Sequence, residues 1–174
     1  SGTTYTWTVA ANANVTGASN QSTATSTISQ TLTNTSNTVQ TVVYTVTPIS
    51  GTCSGATFTV TVTVNPTPTV TAQAATICSG NAFSVAPSNG SGNIVPTGTT
   101  YIWTVSSNSN IIGQADVSSP QINISQTLAN NTNITQFINY SVTPVAGSCT
   151  GSTFNADITV NPLPSIPDQS AFIW

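Results

Sequence analysis

A recurrence at 96 residues constrains this chain more than any other feature. Trp7 returns as Trp103, and the same offset (103 − 7) pairs Tyr5 with Tyr101, Ile28 with Ile124, Leu32 with Leu128, Tyr44 with Tyr140, Cys53 with Cys149, Phe58 with Phe154 and Pro66 with Pro162, without a gap. About half of the paired positions between Gly2 and Pro68 are identical, so the two segments are copies of one unit in a tandem array. The register predicts three pieces: residues 1–68, a truncated copy whose opening strands are missing; residues 69–164, a complete copy; and residues 165–174, the first strand of a further one. It follows that the chain is expected to be a stretch of a longer molecule. Asn65-Pro66-Thr67-Pro68 and Asn161-Pro162-Leu163-Pro164 close the copies. Proline fixes its own φ and holds the preceding residue extended, which predicts a stiff, end-to-end joint.

Within each copy the apolar residues alternate with a period of two, the pattern of strands with one buried face. Tyr101, Trp103 and Val105 share a face, as do Ile138, Tyr140 and Val142, and Phe154, Ala156, Ile158 and Val160; the first copy keeps the same faces. Val70 to Ala72 and Ala82 to Val85 read as opening strands of the second copy. Thr, Val, Ile and Asn dominate, and no run shows helical spacing with caps. The expected fold is all-β: tandem, immunoglobulin-like antiparallel β-sandwiches. Their core signature is Tyr5, Trp7 and Tyr44 in one copy and Tyr101, Trp103 and Tyr140 in the other.

Composition narrows function by exclusion. The chain has no Lys, Arg or His, and its three acids are Asp116, Asp157 and Asp168. Without cations it lacks the main source of affinity for nucleic acid and for anionic lipid. No apolar run approaches the roughly 20 residues needed to span a bilayer. With no His, Lys or Glu, nothing serves as a base near neutral pH or activates a hydroxyl, so no catalytic residue, cofactor or enzyme activity is expected. No metal site is expected either; Asp116 with Asn108 or Asn110 is the one calcium candidate, and Asn20 replaces the acid in the first copy. Asn-x-Ser/Thr sequons fall at Asn14, Asn20, Asn34, Asn89, Asn123, Asn130 and Asn133, as chance allows in so Asn- and Thr-rich a chain. Cys78 and Cys149 are the two cysteines of one repeat unit, and the partner of Cys53 would fall before residue 1. The expectation is a Cys78–Cys149 disulfide in an oxidising, extracellular setting.

Several motifs taken together resemble a known family. Tyr101-x-Trp103-Thr104-Val105, Tyr140-Ser141-Val142-Thr143-Pro144, Gly147-x-Cys149-x-Gly151-x-x-Phe154, Val160-Asn161-Pro162-x-Pro164 and Ile77-Cys78-Ser79-Gly80 are similar to the PKD-like repeats of very large surface adhesins of Bacteroidota, gliding-motility adhesins among them. The resemblance implies an extracellular, cell-surface stalk exported by type 9 secretion. Two features depart from it: Ser106-Ser107-Asn108 stands where ordinary PKD domains carry Gly-Asp-Gly, and Trp174 occupies the place of Cys78 in the third copy. The leading expectation is a structural repeat in an adhesin filament that holds a distal binding region for attachment or gliding. Its partners would be neighbouring repeats of the same chain. The alternatives are a self-assembling fibre with strands paired between identical chains, the tail after Pro164 supplying the strand missing from another chain's first copy, and a polysaccharide-binding module.

Overall fold

Threonine and valine in alternation favour extended backbone, because branching at Cβ suits the pleated, half-buried surface of a sheet. The computed structural model describes residues 2–164, and these contain strands, turns and loops with no helix. Contacts in space, not order along the chain, divide them into two compact units. One runs to Thr69 and includes Ser88–Thr99 and Val145–Gly151; the other holds Val70–Pro87, Thr100–Pro144 and the chain from Ser152. Ile94 belongs with the first because it exchanges two backbone hydrogen bonds with Thr69, at 2.9 and 2.8 Å. The tail segment from residue 165, including Asp168 and Trp174, lies outside the described residues.

The first unit contains β1 (Thr4–Val9), β2 (Val15–Thr16), β3 (Gln21–Thr25), β4 (Thr33–Asn34), β5 (Gln40–Ser50), β6 (Cys53–Ser54) and β7 (Phe58–Val64). Long β5 is the axis of the main sheet. On one side it pairs antiparallel with β1, Trp7 opposite Val46, and on the other with β7, Tyr44 opposite Val60, and with β6. The core is Trp7, Val15, Val42, Tyr44 and Val46, set by the inward half of each alternating strand.

The second copy adds β8 (Gln73–Cys78), β9 (Ala82–Val85), β10 (Thr100–Val105), β11 (Ile111–Ile112), β12 (Val117–Gln121), β13 (Ile124–Thr127), β14 (Ala129–Asn130), β15 (Gln136–Ala146), β16 (Cys149–Thr150) and β17 (Phe154–Asn161). Its main sheet runs β12-β10-β15-β17-β8, while β9 with β13 and β11 with β14 form two short ladders. Phe83, Val85, Ile124 and Leu128 from the shorter elements are buried, as are Tyr101, Trp103, Tyr140, Phe154, Ile158 and Val160 of the main sheet. The fold is the expected immunoglobulin-like sandwich.

Two details differ from the sequence reading. The opening strand is Gln73–Cys78 rather than Val70–Ala72, although Val70 itself is buried. In addition, β8 lies parallel to β17, Gln73 beside Ala156 through Cys78 beside Asn161, in a sheet otherwise antiparallel. Hydrogen bonding to β17 sets the bounds of β8, and that partner is some 80 residues away in sequence.

The edge strand on the other side is irregular in the same way in both copies. Between Tyr5 and Trp7 the register on β3 jumps from Thr25 to Gln21, and between Tyr101 and Trp103 the register on β12 jumps from Gln121 to Val117. Such bulges twist an edge away from further pairing, and Pro120 sits within the second.

Candidate functional site

The two copies share a sequence pattern but differ at one edge. In the second copy β8 covers the outer side of β17, and β9 lays Phe83 over Tyr140 with ring centroids 5.1 Å apart. Ala156, Ile158, Val160, Ile124 and Leu128 are consequently buried. In the first copy β7 pairs with β5 alone among the described residues. Its residues Val60, Val62 and Val64 are half-buried, as are Ile28 and Leu32, and Phe58 is 43% exposed where Phe154 is 6%. A groove of about 300 Å³ lies between Ile28, Gln30, Leu32, Tyr44, Val60 and Val62; Gln30 and Tyr44 are the counterparts of Gln126 and Tyr140, which stand against Phe83 in the second copy.

Buried polar groups are satisfied identically in both copies. Trp7 Nε1 donates to Ser19 O (3.0 Å) and Trp103 Nε1 to Ala115 O (3.2 Å). Tyr44 Oη donates to Gln30 Oε1 (2.8 Å) and Tyr140 Oη to Gln126 Oε1 (2.9 Å). Burial raises the phenols of Tyr44, Tyr101 and Tyr140 above their ordinary range, so these tips stay protonated donors. Tyr5 is the one half-buried member of the core signature; it meets Phe58 edge-on at 6.5 Å, as Tyr101 meets Phe154 at 6.3 Å.

The most fully bonded side chain is an asparagine that sequence reasoning took only for part of a sequon. Asn130 Nδ2 donates to Ile134 O (2.8 Å) and Val160 O (2.9 Å), while its Oδ1 accepts from Thr132 N (2.9 Å) and Thr132 Oγ1 (2.8 Å). Asn34 repeats this with Thr38 O, Val64 O, Ser36 N and Ser36 Oγ. Both are buried with both amide hydrogens in use, which closes Asn34 and Asn130 to glycosylation. Among the other sequons, Asn14, Asn20, Asn89 and Asn133 are exposed, Asn123 is half-buried, and so is Asn139, whose Asn139-Tyr140-Ser141 the sequence reading passed over.

A sequence profile of the PKD-like domain matches residues 1–68 and again 75–164. The chain belongs to the PKD-like domain family. Domains of this family are typically extracellular. Comparison with curated proteins yields no significant match. No helix among the described residues is long and apolar enough to cross a membrane.

The geometry of these PKD-like copies corrects the disulfide. All three cysteines are free, Cys53 and Cys78 exposed and Cys149 half-buried. Cys78 is level with Asn161, just past Val160, which faces Gln136 at the start of β15. Cys149 faces Ala146 at the other end of the same strand. The strand between those two levels, residues 136 to 146, spans roughly 30 Å at about 3.3 Å per residue. A disulfide requires Cα atoms within about 7 Å. The repeat counted the cysteines correctly but carried no information about which end of the sheet each occupies.

The carboxylates serve the fold. Asp116 Oδ1 accepts from Val105 N at 2.8 Å, as Asn20 Oδ1 does from Val9 N at 2.8 Å in the first copy. Asn108, the other half of the calcium candidate, donates to Phe137 O (3.0 Å), and its Oδ1 accepts from Asn110 N (2.9 Å). Asp157 accepts from Asn139, which stands opposite it in the β15–β17 ladder. The first copy has Val43 and Thr61 at those places, also directly paired, so the two differences amount to one exchanged cross-strand pair. No group of three or more His, Cys, Asp or Glu gathers among the described residues.

On the outer face, shallow grooves of about 330 Å³ recur at the same place in both copies. One is lined by Thr6, Thr8, Asn20, Thr45 and Thr47, the other by Ile102, Thr104, Asp116, Ser141 and Thr143. The adjoining Trp7 and Trp103 are buried and offer no open ring for a sugar to stack on.

Proposed function

We propose that this chain is a structural repeat segment in the stalk of a secreted cell-surface adhesin of Bacteroidota, exported by type 9 secretion and holding a distal region for attachment or gliding. The observation that carries this reading is where the two copies agree. Inward positions stay apolar (Val42/Ile138, Val60/Ala156 and Val62/Ile158), and the Trp and Tyr hydrogen bonds and the buried Asn are reproduced across 96 residues, while some outward positions change in chemistry: Val43/Asn139, Thr61/Asp157 and Thr6/Ile102. Reuse of interior bonding with a changing surface supports a scaffold whose neighbours along the rod are further repeats of the same chain. The carboxylates Asp116 and Asp157 each cap or pair locally, which supports a mechanical rather than a catalytic part.

The test is location and form on the producing cell. Antibodies raised against the 174-residue chain are expected to decorate surface filaments, and the label is expected to disappear from the surface when type 9 secretion is disabled. Label confined to the cell interior would overturn the proposal. A glycan array separates this reading from the polysaccharide-binding one. The scaffold reading expects no saturable binding at micromolar chain, and a glycan held by both outer-face grooves would reverse the assignment.

A further inference from the structure

In the complete copy β8 and β17, the strands at which the chain enters and leaves the main sheet, lie side by side and run in the same direction. Their ladder has six residue pairs, from Gln73 beside Ala156 to Cys78 beside Asn161. The chain enters it at Gln73 and leaves it at Asn161, so entry and exit stand at opposite ends, roughly 17 Å apart at about 3.3 Å per residue. An antiparallel pair would bring entry and exit to the same end. Tension along the chain therefore slides β8 against β17 and loads every rung together. On its other side β17 is held by seven pairs with β15, from Gln136 beside Val160 to Val142 beside Phe154. The exit end is tied down as well. Ser79 N donates to Asn161 O at 2.8 Å, Asn130 N donates to Ser79 Oγ at 2.9 Å, and Asn130 Nδ2 donates to Val160 O at 2.9 Å.

We propose that the β8–β17 ladder is a shear clamp, which makes the second copy a force-bearing link. Forced unfolding is set by the barrier to leaving the native state. That barrier is higher when all rungs must break in one event than when they open one after another. Half-buried Gln73, Ala75 and Ile77 must leave their packing in the same event. The inference rests on the stalk reading only for the source of the tension; the clamp itself follows from strand order within the copy. The rungs follow from parity. Ser79 N–H points at β17, and positions two apart in a strand share a direction, so Ile77 and Ala75 aim their N–H groups at β17. Thr76 aims its own at the free side of β8, the edge strand of the sheet.

The test pulls single molecules of the whole purified chain between the C-terminus and one thiol, in two geometries. In the first, Thr67→Cys supplies the thiol at an exposed position ahead of β8, with Cys53, Cys78 and Cys149 changed to Ser, and the ladder is sheared. In the second, native Cys78 is the handle, with Cys53→Ser and Cys149→Ser. It stands beside Asn161, so the same ladder is peeled from that end. Both geometries are expected to release the copy in one step that lengthens the tether by roughly 300 Å. At equal loading rate the peeled geometry is expected to rupture at about half the force or less. Under shear, Ala75→Pro removes a rung and is expected to bring the force down toward the peeled value. Thr76→Pro, on the free side of an edge strand, is expected to leave it unchanged. Equal forces in the two geometries overturn the proposal, as does a shear force that Ala75→Pro leaves intact or that Thr76→Pro lowers as much. The comparison of geometries needs no proline, so it decides the matter even where Ala75→Pro unfolds the copy. All of these readings come from purified protein, so their failure is distinct from a failure to find the chain on the cell surface.

Discussion

Replacing Asn130 by aspartate changes one NH₂ group to an oxygen and nothing in shape, so it isolates the hydrogen bonding of the buried asparagine. In the native protein that NH₂ serves two carbonyls, Ile134 O at 2.8 Å and Val160 O at 2.9 Å. Asn130→Asp leaves both without a donor and brings an oxygen against them. Each unsatisfied buried carbonyl costs about 1–3 kcal/mol, and a charge there adds to the penalty, so a loss of about 3–5 kcal/mol is expected at pH 7. Against a typical domain stability of about 5–15 kcal/mol this is severe but survivable. The urea midpoint of the second copy is expected to fall by about 2 M, with m near 1–3 kcal/mol/M.

The pH dependence has a definite sign. Carbonyl oxygens around the carboxyl disfavour its charged form, raising its folded pKa above the unfolded value near 3.9. The stability that survives is therefore fully present below the unfolded pKa and is lost as pH rises through the folded pKa. The variant should regain stability relative to the native chain between pH 7 and 4, because a protonated carboxyl donates one of the two missing bonds. Urea unfolding read by pulsed hydrogen exchange and mass spectrometry separates peptides of the two copies, and only those of the second should respond. A loss below about 1 kcal/mol, or one that does not shrink on acidification, would refute the assignment of Asn130 as a fully engaged staple.

Three further outcomes follow from the packing. Intact mass after alkylation without reductant should show three modified thiols on the chain; a species two mass units light with a single adduct would restore the Cys78–Cys149 bridge. Gly113 has φ +95°, and a Cβ there would stand 2.1 Å from Thr127 O, so Gly113→Ala should cost about 1–3 kcal/mol or more, measured by thermal melting. Gly17, at φ +89° and 2.0 Å from Thr31 O, should behave alike. Phe83→Ala empties the space over Tyr140 and should destabilise the second copy by about 3–5 kcal/mol in urea, whereas the first copy, whose matching trough is already open among the described residues, should unfold unchanged.

Sequence alone determined whatever depends on periodicity. The offset between Trp7 and Trp103 defined the repeat, and alternation around Tyr44, Tyr140, Phe154 and Val160 defined strands and their inward faces, because side-chain direction in a strand follows from parity. Three matters needed the tertiary structure. The bounds and parallel direction of Gln73–Cys78 come from β17, a partner distant in sequence, while the local apolar signal pointed instead to Val70–Ala72. Cys78 and Cys149 are separated by the length of β15, and a linear count has no way to tell the two ends of a sheet apart. Asn34 and Asn130 read as ordinary polar residues in a polar chain; only the convergence of two carbonyls, an amide and a hydroxyl around each shows why an asparagine belongs inside.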